Sequence, residues 1–127
     1  MNLLEQVANH LEFCGFGTVA TNEKDGNIHW GRMPDQPDDC ICVYSYDTAT
    51  PGAPQGARIQ IINRAKSPRR AYELSASIAR ELEDFSGFLA GDGAMATITV
   101  ENAATGIGAD IKKRELYSSN FRIHYCE

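Results

Sequence analysis

The sequence predicts an α+β domain: one mixed, mainly antiparallel sheet with two helices packed against it. Three observations carry this expectation. Two segments place apolar residues at helical spacing, each behind a capping residue. Several other segments alternate apolar and polar residues with a period of two, as strands do. Polar turns rich in Pro and Gly separate them. The 127 residues fit a single domain spanning 1–127, long enough to bury a core without disulfides or metals.

The first helix is expected over residues 2–14. Leu3, Leu4, Val7, Ala8, Leu11 and Cys14 form one stripe. Asn2 suits the cap, Glu5 sits where a capping box places it, and Gly15 supplies a stop. Thr18 to Thr21 reads as a short strand. Residues 22–27 then form a turn in which Asp25-Gly26 signals a tight hairpin into a second short strand, Ile28 to Arg32. Pro34 and Pro37 bracket a loop that carries Asp35, Asp38 and Asp39.

Cys40 to Tyr46 is the clearest strand. Cys40, Cys42, Tyr44 and Tyr46 share one face, and Ile41, Val43 and Ser45 the other, as in a strand covered on both sides. Asp47 to Gly56 holds two prolines and two glycines and reads as a loop. Arg58 to Asn63 is the next strand. Ser67 and Pro68 open the second helix. Its stripe is Ala71, Leu74, Ser75, Ile78, Leu82 and Phe85, and Gly87 is expected to end it. Phe88 to Ala94 reads as a loop of small residues and Met95 to Val100 as a strand. Residues 107–112 fit neither class. Tyr117 to Tyr125 closes the chain as a strand with Phe121, Ile123 and Tyr125 on one face.

Composition narrows the function. Twelve basic side chains stand against 17 acidic ones, a net charge of −5. Tight non-specific DNA binding needs the opposite sign, whereas an acidic surface lets DNA pass without sticking. Cys40 and Cys42 lie two apart, not at zinc-ligand spacing. With Cys14 and Cys126 they are expected to be reduced thiols, mostly buried. The amphipathic Asn2 to Cys14 is no signal peptide, and no apolar run reaches the length of a membrane span.

Catalytic chemistry finds little footing. His10, His29 and His124 lie in no recognisable catalytic motif. The aspartates near Pro37 do not follow a calcium-loop spacing, and the glycines at 87–93 and 106–108 do not form a phosphate loop. No catalytic, cofactor-binding or metal-ligating residue is therefore expected. Two basic clusters remain: Arg64, Lys66, Arg69 and Arg70, and Lys112, Lys113 and Arg114. Three readings fit them: a solvated face, an ion-paired interface with an acidic neighbour such as the Asp35–Asp39 loop of another copy, or a DNA contact.

The order of short motifs resembles the tail-terminator proteins of long-tailed bacteriophages, also called minor capsid proteins. The resemblance rests on Tyr46-Asp47-Thr48, the proline loop with Pro51 and Pro54, Gln60 with Arg64, and the alanine-rich Ala71 to Leu82. It continues through Gly108-Ala-Asp110, Lys112-Lys113-Arg114 and Asn120-Phe121. Lys113 stands where the family commonly has glycine. The resemblance spans about residues 3–125.

That resemblance implies a ring, usually a hexamer, on the end of the finished tail tube. The ring would stop tube growth and offer a surface to the head connector. DNA would pass through its channel without specific binding. The implied partners are further copies of the chain, the tail-tube protein and the head-tail connector or stopper. The implied location is the head-proximal end of the virion tail, after synthesis in the host bacterial cytoplasm. Candidate contact residues are Asp35, Asp38, Asp39, Asp47, Thr48, Arg64, Lys66, Arg69 and Arg70. Two other readings are a head-completion or neck protein of the same module, and a small hydrolase or nucleotide-binding enzyme using Cys42, Cys126 or His124.

Overall fold

The computed structural model describes residues 2–21, 26–45 and 56–126. Helix α1 spans Leu3–Phe13. Asn2 caps it, its Oδ1 accepting from the Glu5 backbone N–H at 2.8 Å. Helix α2 spans Pro68–Leu82, with Ser67 as its cap; the Ser67 hydroxyl accepts from the Arg70 N–H at 3.0 Å. Both caps satisfy first-turn donors that no helical carbonyl reaches.

Among the described residues six strands form one sheet: β1 (Ile28–Trp30), β2 (Cys40–Ser45), β3 (Ala57–Ala65), β4 (Ser86–Phe88), β5 (Met95–Ala109) and β6 (Glu115–Cys126). Their spatial order is β1-β2-β3-β6-β5-β4. The β1–β2 pairing is parallel and the other four are antiparallel. The expected α+β class, with two helices on a mixed and mainly antiparallel sheet, is the class observed.

Both helices lie on one face. Val7, Ala8 and Leu11 of α1, with Ile78, Ala79 and Leu82 of α2, close over Ile41, Val43, Ile59, Ile61, Ile98, Phe121 and Ile123. Register aligns these layers: Val43 faces Ile61, Ile59 faces Phe121, and Ile98 faces Ile123. Alternation turns Arg58, Gln60, Ile62, Asn120 and Arg122 to the helix-free face, where each is half-buried. Arg58 and Arg122 stand directly opposite, and Glu101 of β5 bridges them, at 3.5 Å from Arg58 Nε and 3.3 Å from Arg122 Nη2. A like-charge pair that would repel thereby becomes a triad.

Four expectations need correction. Val19 pairs with Ile28 through a single parallel bridge, with Ile28 N donating to Thr18 O and Ala20 N to Ile28 O. The segment before β1 is therefore no antiparallel hairpin; residues 22–25 of the expected turn lie outside the described residues. The strand expected to reach Arg32 stops at Trp30, because Gly31 takes φ +81°. Helix α2 stops at Leu82 rather than running to Gly87. Glu83 turns extended and Asp84 takes φ +56°, which frees the Phe85 carbonyl to accept from Ile98 N at 2.9 Å. The expected loop at 88–94 holds the end of β4 and a 3₁₀ turn at Leu89–Gly91.

Strand β5 is also longer than its sequence advertises. It runs nine residues past Val100 through Ala103, Ala104, Gly106 and Gly108. Those residues favour strands weakly, so pairing to β6 imposes the conformation. Bulges between Val100 and Asn102, Asn102 and Thr105, and Gly106 and Gly108 absorb the misfit. Ala104 at φ +50° and Gly108 at φ +105° take left-handed conformations there.

Candidate functional site

The most structured polar feature is a clasp around the 31–39 loop. This loop leaves β1 and enters β2, so its inward carbonyls have no ladder partners. Arg64 supplies donors instead. Its position on β3 faces Cys40 on one side and Leu116 on the other, which puts its guanidinium beneath the loop. Nη2 donates to Pro37 O at 2.6 Å and Asp35 O at 3.3 Å, and Nε donates to Asp38 O at 3.1 Å. A planar fork suits several acceptors at once.

A second arginine closes the clasp from the β5–β6 turn. Arg114 is only 4 % exposed. Its Nη2 lies 3.1 Å from Asp35 Oδ1, its Nη1 lies 3.2 Å from Asp38 Oδ1, and its Nε donates to Asp110 Oδ2 at 2.8 Å. Nη1 also donates to the Asp35 carbonyl. Around the rim, Lys66 pairs with Asp38 at 3.2 Å, Lys112 pairs with Asp35, and Arg70 pairs with Asp39.

Electrostatics agree with the geometry. The Lys112 hydrogen bond, followed by Arg114, holds the Asp35 carboxyl below its usual range. Lys66, then Arg114, does the same for Asp38. The Arg114 backbone N–H and then its guanidinium lower Asp110. Asp39 raises Arg70. The carboxylates stay ionised and the donors are committed. The clasp fixes a loop; it does not position a group for proton transfer.

Six of the sequence-derived candidates meet here: Asp35, Asp38, Asp39, Arg64, Lys66 and Arg70. The acidic loop and the basic start of α2 thus find each other within one chain. Arg69 is exposed beside them and makes no ion pair among the described residues. Asp47 and Thr48 lie outside the described residues. Sequence reasoning passed over Arg114 and Asp110 as candidates, although the i, i+4 spacing of an acid and a base across a turn was the available signal. Lys113 takes φ +63°, so the turn keeps the left-handed position that glycine commonly fills.

The thiols offer no activated nucleophile where a shift is evident. Burial pushes Cys14, Cys40 and Cys42 each up to about 11, whereas nucleophilic thiols are lowered. Cys126 is exposed and shares a face of β6 with His124. No group of three or more His, Cys, Asp or Glu among the described residues is arranged to hold a metal ion. No helix among them is long and apolar enough to cross a membrane.

The described residues thus form a small α+β domain in which a polar clasp braces a surface loop. Comparison with protein families places this domain. A family model described as bacteriophage tail terminator protein matches residues 15–126, and the chain belongs to that family. No curated protein and no solved structure matches it.

Proposed function

We propose that this chain caps the phage tail tube. Copies of it form a ring, a hexamer, on the tube end. The ring ends tube growth and provides the surface on which the head connector docks. It works as a structural part of the virion at the head-proximal end of the tail and not as an enzyme. The observation that carries this reading is the family match over residues 15–126.

The clasp supports the reading. An assembly surface needs a loop that does not rearrange on contact, and Arg64 and Arg114 tie this one from below. The outward rim, with Lys66, Arg69 and Arg70 beside Asp35, Asp38 and Asp39, is the surface we assign to neighbours, together with Asp47 and Thr48. The net charge of −5 per chain suits a channel that conducts DNA without holding it.

The test is electron microscopy of tails assembled without this protein. Overlong or heterogeneous tails are expected. Tails of normal, uniform length would exclude a terminator. Binding to the head connector alone, with no binding to tail tubes, would point to a neck protein instead.

A further inference from the structure

The β5–β6 hairpin ends in the turn Asp110–Arg114, and Ile111 at its tip is 100 % exposed. Turns favour Gly, Asn, Asp and Ser, and a fully solvated isoleucine adds nothing to the core. The tip is stiff: Asp110 Oδ1 accepts from the N–H groups of Lys112 and Arg114 at 3.0 and 2.9 Å. Beside Ile111, Lys113 is exposed and has no ion pair among the described residues, unlike Lys112 and Arg114.

The other end of the hairpin carries the complement. Phe88 and Met95 face each other across β4 and β5 and are 58 % and 45 % exposed. With Leu89, Ala94 and Cys126 they line a groove of about 650 Å³ between α1 and the 3₁₀ turn. Its wall is fixed to α1: Gln6 Oε1 accepts from Ala94 N at 2.8 Å, and His10 Nδ1 accepts from Ala90 N at 2.8 Å. Asp92 lies at the groove, is exposed, and has no ion pair among the described residues.

From these two surfaces we infer that copies of this chain join head to tail, Ile111 of one copy seating in the Phe88–Met95 groove of the next while Lys113 meets Asp92. This rests on the ring proposed above and names its contact. The 12 residues of β6 separate tip from groove by roughly 40 Å at about 3.3 Å per residue, so a copy cannot fill its own groove. Unlike surfaces in contact make a heterologous interface, which closes into a ring when the rotation between copies closes.

Cys126 makes the contact testable in the full chain. In Ile111→Cys, mild oxidation with diamide on tail tubes should join the new thiol to Cys126 of the next copy. Each S–S bond forms as two thiols give two electrons and two protons to the diazene. A ladder of linked copies is expected, absent from the wild type and lost on adding Cys126→Ser. Separately, Ile111→Asp and Met95→Arg should each fail to self-associate, yet form a one-to-one dimer when mixed, since each retains the surface the other lacks. A chain that rings the tube but shows no Cys126-dependent linkage overturns this contact and leaves the ring intact. Linkage to the tail-tube protein instead also overturns it. A wild type that never self-associates on tubes overturns the ring reading itself.

Discussion

Arg64 Nη2 donates to the carbonyl of Pro37 at 2.6 Å, tying the core of the sheet to a surface loop 27 residues earlier in the chain. The same guanidinium serves Asp35 and Asp38. Neither partner is an ionised side chain at these contacts, so the loop's shape depends on hydrogen-bond geometry more than on charge.

Arg64→Lys should therefore be costly although it keeps the charge. An ammonium lacks the planar fork and leaves part-buried carbonyls without donors. We expect a loss of about 1–3 kcal/mol, read as a lower denaturant midpoint at unchanged slope. Arg114→Leu should cost a similar amount. Its carboxylate partners Asp35 and Asp38 remain 61 % and 33 % exposed and regain water, which keeps the loss below that of a fully buried pair.

Acid should loosen the clasp late. Asp35, Asp38 and Asp110 all have lowered folded-state pKa values. Their contribution is fully present above the unfolded carboxyl value of about 4. It is lost as pH falls through the folded values, because the unfolded chain then binds more protons. All three face solvent, so added salt should shrink this acid dependence. Unfolding midpoints measured from pH 5 down to 2, at low and high salt, check both parts.

A second acid effect should appear at higher pH. His10 Nδ1 accepts from Ala90 N, so the neutral ring carries its proton on Nε2, which lies 3.5 Å from Cys14 Sγ. Burial lowers the His10 pKa, with Glu81 opposing in part. Neutral His10 is the folded form, and its contribution is lost as pH falls from about 6.5 through the lowered value. His10→Asn keeps an acceptor and cannot titrate. It should flatten the fall in stability as pH drops below about 6.5, and an unchanged pH profile in that variant would contradict the assignment.

Glu101→Gln should remove the Glu101 carboxylate from between Arg58 and Arg122. The three side chains are 39 %, 23 % and 27 % exposed for Arg58, Arg122 and Glu101, so the effect is modest, about 0.5–1 kcal/mol. Replacing Arg122 as well, with Gln, should recover part of it. Thermal unfolding of the single and double variants forms the cycle that checks this.

Local signals made much of the fold legible. Asn2 and Ser67 cap the helices they were expected to cap, because capping is decided within three residues. The separate alternations of residues 40–45, 58–63 and 117–125 marked three strands of the sheet. What stayed illegible depends on distant partners. Phe85 continues the α2 stripe in sequence, yet it leaves the helix, pairs with Ile98 and packs on His10 with ring centroids 4.6 Å apart. Ala103 to Gly108 look like a loop until β6 lies beside them. The acidic and basic candidates were each visible, but their pairing was expected between copies and is found within one chain. That depends on the register of β2, β3 and β6, which no single segment encodes. The groove was hidden because Phe88 read as part of a loop.

The most direct measurement is elongation of tail tubes in vitro with this chain added to polymerising tube protein. Growth should stop, and image averages of the stopped ends should show one ring of these subunits on the tube. Tubes that continue to lengthen at the same rate, with bare ends, would contradict the account.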